Sequence, residues 1–187
     1  SEMCIRDSAY ASYVNSIGGN IRLEVGEQDS LTYIAAEKLF MRGDNDGARR
    51  SLINYLQTFP EGAFSSNANF YLGSIAFAKK EFDEAIQRFK SVIASGDTKF
   101  LEESVARTAE IEYLSKDYPA ALESFKRLQI VAENPENRQA ARLGIMRCAL
   151  QTGQQKDALL AADELLKEPK LSPELEAEAR YVRAKAY

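Results

Sequence analysis

Apolar residues recur at three- and four-residue spacing through most of the chain, the period of an amphipathic helix. Breakers interrupt that pattern at Gly43, Pro60, Gly62, Gly96, Pro135, Gly153, Pro169 and Pro173. Asn134-Pro135 and Ser172-Pro173 each offer an N-cap residue followed by proline at the first helical position. Pro119 fits the first helical turn after Asp117-Tyr118, while Pro60 and Pro169 fall where helices would end. The short alternation Gly18–Val25 reads as an extended piece or a plain linker. No apolar run is long enough to span a bilayer.

The helical pattern repeats. Gly43–Ala48, Lys80–Ala85, Lys116–Ala121 and Gly153–Ala158 are each a polar turn leading to an alanine early in a helix, and those alanines are spaced 37, 36 and 37 residues apart. Four positions after them stand Leu52, Phe89, Phe125 and Ala162; twelve before them stand Ala36, Gly73, Ala109 and Met146. Small residues let two helices of a hairpin approach closely, and the large residue one turn later fills the space beside them. Each such hairpin leaves an apolar face that only the next hairpin covers, so the units stack.

On these residues the chain resembles the tetratricopeptide repeat (TPR) family. The best match is Tyr71-Leu72-Gly73 followed by Phe82-Asp83-Glu84-Ala85-Ile86 and Phe89; Leu31–Pro60 and Val105–Leu128 follow it, and Leu143–Leu166 departs from it at Met146. Ala177–Tyr187 is similar to a first helix, with Ala184 and Tyr187 at pattern positions, and Ala9–Ile17 reads as a second helix of a preceding repeat. The period exceeds the family's by about three residues, an excess assigned to the links between hairpins. One such link, Phe59–Phe64, is similar to repeats of periplasmic proteins of Gram-negative bacteria, among them the Tol-Pal-associated coordinator and the outer-membrane-assembly lipoprotein. The resemblance implies an all-α, right-handed solenoid of antiparallel hairpins. The expected organisation is 9–29 as the end of a preceding repeat and linker, 30–64, 65–98, 99–134 and 135–171 as four repeats, and 172–187 as part of a fifth.

Residues 1–8 stand apart. Ser1–Ser8 resembles the translation of a transposase adaptor used in sequencing-library preparation, which would make the sequence a metagenomic fragment and those residues foreign to it. Without them 23 basic residues face 26 acidic ones, so the net charge moves from −4 to −3, and Cys4 leaves Cys148 alone. An array cut from a longer solenoid exposes a stacking surface at each end, and self-association there is expected.

Composition narrows the chemistry. There is no histidine, the commonest general base and zinc ligand. Cys148 lies between Met146 and Leu150 on an apolar helix and reads as a packed thiol. Acidic pairs such as Glu102-Glu103 fall in first helical turns, where they favour the helix dipole and solvent. No phosphate-binding glycine loop is present, and Lys126-Arg127 is too short for a nucleic-acid stripe. The expectation is therefore no catalytic residue, no metal, no cofactor and no nucleic-acid partner.

The family resemblance implies that first helices line a concave binding face. Residue by residue that face is Tyr33, Glu37 and Phe40; Asn67, Phe70, Ser74 and Phe77; Glu103, Glu110 and Tyr113; Leu143, Arg147 and Leu150; and Glu178, Tyr181 and Lys185. Aromatics among mixed charges suit a peptide or protein partner, although the same aromatics could pack between hairpins. The reading is a non-catalytic interaction scaffold in the envelope of a Gram-negative bacterium, periplasmic or outer-membrane-associated. A glycan- or peptidoglycan-binding envelope protein and a regulatory array of a cytoplasmic sensor or enzyme stand as alternatives.

Overall fold

The computed structural model of the protein describes residues 25–185. Among the described residues there are nine α-helices and no strand. They are α1 Val25–Met41, α2 Asn45–Thr58, α3 Ser65–Ala78, α4 Phe82–Ser95, α5 Leu101–Leu114, α6 Tyr118–Val131, α7 Pro135–Gln151, α8 Gln155–Leu165 and α9 Pro173–Lys185. The chain is all-α and built of successive helix hairpins, as its periodicity requires. Ser1–Ser8, Ala9–Ile17, Tyr187 and all of Gly18–Val25 except Val25 lie outside the described residues. Helix α1 begins at Val25, upstream of the expected repeat start at residue 30, and this longer start carries Asp29, which is buried.

The repeat is written into the backbone at one position of each hairpin turn. Gly43, Lys80, Lys116 and Gly153 all take positive φ, at 80°, 61°, 62° and 74°. The next amide in each case reaches back five residues: Asp44 to the Leu39 carbonyl at 3.0 Å, Glu81 to Ala76 at 2.9 Å, Asp117 to Glu112 at 2.9 Å and Gln154 to Ala149 at 2.8 Å. This is the Schellman closure, which satisfies carbonyls that the helix end leaves open. The residue after the left-handed one then starts the second helix, with nearly the same φ and ψ in all four turns. Asp44 and Asp117 add side-chain caps, accepting from Gly47 N–H at 2.9 Å and Ala120 N–H at 3.2 Å.

By packing, the chain divides into two compact units at Ala68 and Asn69. In the first, α1 lies against α2, burying Tyr33, Ala36, Ala48, Leu52 and Tyr55. The link that follows α2 is anchored from within. The Tyr55 hydroxyl donates to Asp29 Oδ1 at 2.5 Å, Ala63 N–H donates to Asp29 Oδ2 at 2.8 Å, and Phe64 N–H donates to the Tyr55 hydroxyl at 3.0 Å. Gly62 is required here, because a Cβ would lie 2.4 Å from the Tyr55 hydroxyl oxygen.

In the second unit each hairpin pairs a small residue with a large one. Gly73 sits under Phe89, where a Cβ would come within 2.8 Å of the ring. Ala109 and Phe125 hold the same places in the next hairpin, both buried. In the last complete hairpin the sizes exchange helices: Met146 takes the small position and Ala162 the large one, and both are fully buried. The departure at Met146 is thus a swap that keeps the filled volume. Each buried Phe or Met contributes about 1.5–3 kcal/mol relative to exposure.

Candidate functional site

The expected binding residues divide into those the fold uses internally and those it leaves around a groove. Tyr33 is only 2% exposed. Its ring stacks on Phe64 at 4.4 Å between centroids, its hydroxyl donates to Glu37 Oε1 at 2.6 Å, and it accepts from Asn67 Nδ2 at 3.1 Å. Tyr33, Glu37 and Asn67 are therefore joined to one another, and Tyr33 offers no surface to a partner. Phe40 is half-buried.

In the second unit Phe70 stacks on Phe100 at 4.3 Å, and Ser74 Oγ donates to the Phe70 carbonyl at 2.9 Å. Phe77 lies under the Arg107 guanidinium, 4.9 Å from the ring centroid, a cation–π contact. Tyr181 is exposed, with Lys185 Nζ 5.9 Å from its ring centroid. Leu150 is at the margin of exposure and lines no part of the groove described next.

Glu103, Glu110, Tyr113, Leu143 and Arg147 do come together. They line a groove of about 380 Å³ formed by α5 and α7 over Phe125 and Leu128 of α6. Sequence reasoning missed Ala106, Arg107, Leu114, Asn137, Ala140 and Gly144, which complete the lining. The missed signal was a small residue where an aromatic was sought. By the repeat, Ala106 stands at the position held by Tyr33 and Phe70 in the two preceding hairpins. Those rings fill their space; a methyl group at Ala106 leaves it open. Gly144 lets the Phe125 ring pack directly against the α7 backbone beside this hollow, because a Cβ there would come within 2.4 Å of the ring.

Charges frame the groove in fixed geometry. Arg107 donates from Nε to Glu103 Oε1 and from Nη1 to Glu110 Oε2, both at 2.9 Å, an i±3/4 arrangement on α5. Arg147 binds Glu178 of α9 through two bonds of 2.7 Å each. That bidentate pair holds the Arg147 guanidinium above its ordinary pKa, and burial only partly opposes it. Glu102, expected in solvent, instead stitches two hairpins. Its carboxylate accepts from Asn137 Nδ2 at 2.7 Å, Glu133 N–H at 2.9 Å and Asn134 N–H at 3.1 Å. Burial pushes its pKa up, but these donors outweigh burial and hold it below the usual carboxylate value.

Cys148 is fully buried, and burial pushes its thiol up to about 11, so it stays protonated and unreactive at neutral pH. Among the described residues no cluster of acidic and cysteine side chains could hold a metal ion, and no helix is long and apolar enough to cross a membrane.

Residues 35–98 match the tetratricopeptide repeat family model. No curated protein matches the sequence significantly. Solved structures share the fold. YrrB, described as a TPR protein with an unusual peptide-binding site, aligns at 18% identity and TM-score 0.64 over 83% of this chain and 74% of its own. MamA aligns at 18% identity and TM-score 0.63 over 87% of each chain. A tetratricopeptide repeat protein from Parabacteroides merdae aligns at 18% identity and TM-score 0.66, over 86% of this chain and 60% of its own. At such identity the likeness shows a common fold of helix-hairpin repeats.

Proposed function

We propose that this chain is a non-catalytic protein–protein interaction module that seats a short segment of a partner protein in the α5–α7 groove. The observation that carries this reading is the opening at Ala106, where the preceding hairpins carry aromatic rings. The opening has an apolar floor and a polar rim, the anatomy of a small interface core. A peptide-binding site in YrrB, a protein of the same fold, supports the reading by analogy alone.

Sugar stacking is less well served, because Tyr33, Phe70 and Phe77 each have a ring face occupied by Phe64, Phe100 or Arg107. The setting we propose is the envelope of a Gram-negative bacterium, supported by the resemblance of the Phe59–Phe64 link. Fractionation of cells expressing the complete gene tests that setting; recovery in the cytosol overturns it.

Ala140 is exposed and lines the groove, so Ala140→Trp fills the site without touching the core. Peptides selected from a random display library on the wild-type chain are expected to lose at least tenfold in affinity on Ala140→Trp, with the melting temperature unchanged. Selected peptides that bind both proteins equally would show the site lies elsewhere.

A further inference from the structure

We infer that the segment seated in the α5–α7 groove is basic: two or three extended residues pairing an aliphatic side chain with a lysine or arginine. This rests on the groove being a peptide site and goes further by naming the peptide's chemistry.

The size comes first. A volume of about 380 Å³ is at the small end of ligand cavities, too little for a docked helix and enough for a few side chains. The lining includes the hydrocarbon side chains of Ala106, Leu143, Phe125 and Leu128. An aliphatic side chain fits there without leaving a polar group unpaired.

The charge decides the rest. One guanidinium, Arg107, faces two carboxylates, Glu103 and Glu110. It binds one oxygen of each, and among the described residues Glu103 Oε2 and Glu110 Oε1 have no other hydrogen-bond partner. Across the groove Arg147 is already neutralised by Glu178. Three carboxylates against two guanidiniums leave one negative charge in excess and two acceptor oxygens open. Both open carboxylates are accessible, with side-chain exposures of 42% for Glu103 and 46% for Glu110. A partner ammonium or guanidinium completes that arrangement. A partner carboxylate would meet Glu103 and Glu110 as like charges on either side of Arg107.

The test uses the full chain and three capped, fluorescein-labelled peptides that differ only at a central lysine, glutamine or glutamate between two leucines. Binding is read by anisotropy at low and high salt. The lysine peptide is expected to bind about tenfold tighter than the glutamate peptide at low salt, with the ratio shrinking as salt rises. In Glu103→Gln/Glu110→Gln the ratio is expected to fall below about threefold, the residue of ordinary surface electrostatics. The melting temperature of that variant reports whether the fold is intact. Glutamate binding as tight as lysine, or a lysine preference that survives the double substitution, overturns the inference. Equal binding of all three peptides that is lost in Ala140→Trp overturns the basic preference while the groove stands. Failure of every peptide to bind overturns both.

Discussion

Removing one oxygen atom from Tyr55 tests whether the first unit is held by the anchored link after α2. Tyr55 is fully buried, and its hydroxyl both donates to Asp29 and accepts from Phe64 N–H. Tyr55→Phe keeps the ring and its packing against Tyr33 and Phe59. It takes a donor from a carboxylate that is itself only 6% exposed. A hydrogen bond to a charged group contributes about 1.5–3 kcal/mol, and a buried carboxylate left short of a donor is the expensive half of that loss. Stability at neutral pH is therefore expected to fall by about 1.5–3 kcal/mol. Because the chain has no tryptophan, denaturant unfolding is best followed by far-ultraviolet circular dichroism. Hydrogen exchange supplies the local readout: the Ala63 and Phe64 amides lose protection first, since they are the link's donors into this cluster.

The same group has a pH signature. Burial, with the Asp29 contact second, raises the Tyr55 pKa from 10.0 to about 12. A raised folded pKa means the neutral phenol is what the fold stabilises. That contribution is complete below the unfolded value near 10 and is lost as pH climbs through about 12. Two units correspond to roughly 3 kcal/mol at full ionisation. Other tyrosines and lysines titrate in this range too, so the informative quantity is the difference between wild type and Tyr55→Phe. That difference is expected to be constant below pH 10 and to shrink between 10 and 12. Parallel curves, or a variant within about 0.5 kcal/mol of wild type with unchanged amide protection, would refute the reasoning.

Three further outcomes are expected. Lys80→Gly and Lys116→Gly relieve left-handed strain of about 1–2 kcal/mol and give back part of it as unfolded-chain entropy, for a net stabilisation of about 0.5–1 kcal/mol each; denaturant midpoints that fall instead would contradict this. Gly144→Ala drives a methyl group into the Phe125 ring and is expected to cost about 1–3 kcal/mol, read as a lower melting temperature. For Glu102 the folded pKa lies below the ordinary value, so its stabilisation is complete above about pH 4.3 and is lost as pH falls through the depressed value. Glu102→Gln should therefore flatten the acid limb of the stability curve; an unchanged acid limb would show that its three hydrogen bonds carry no net weight.

The helix hairpins were legible because they rest on local chemistry. A proline at the first helical position, an aspartate cap and a glycine that tolerates positive φ act within a few residues of themselves. Lys80 and Lys116 show how far that locality extends. Lysine does not advertise a left-handed conformation, yet both adopt it because the repeat places them where Gly43 and Gly153 stand. What stayed hidden depends on partners far apart in sequence. Asp29 bonds to Tyr55 26 residues away and Glu102 to Asn137 35 residues away. Only the folded hairpins bring those groups together, so no short motif could mark them.

The binding face was read from its aromatics, and the fold uses some of those aromatics for itself. A large ring on a first helix has two fates in a stacked array. It can face a ligand, or it can fill the hollow that stacking creates, and burial of apolar area favours the second wherever a neighbour is in reach. Tyr33 and Phe70 follow that course, packing on Phe64 and Phe100. On this face a hollow opens where the repeat breaks its own rule with a residue too small to fill it. Ala106 is that break in the third hairpin, and it is ringed by Glu103, Arg107, Glu110 and Tyr113. In an array of this kind the departure from the repeat, not the repeat itself, is where a partner can enter. Ala106→Phe, which restores an aromatic to the third hairpin, is accordingly expected to close the groove and abolish peptide binding while leaving the helix content intact.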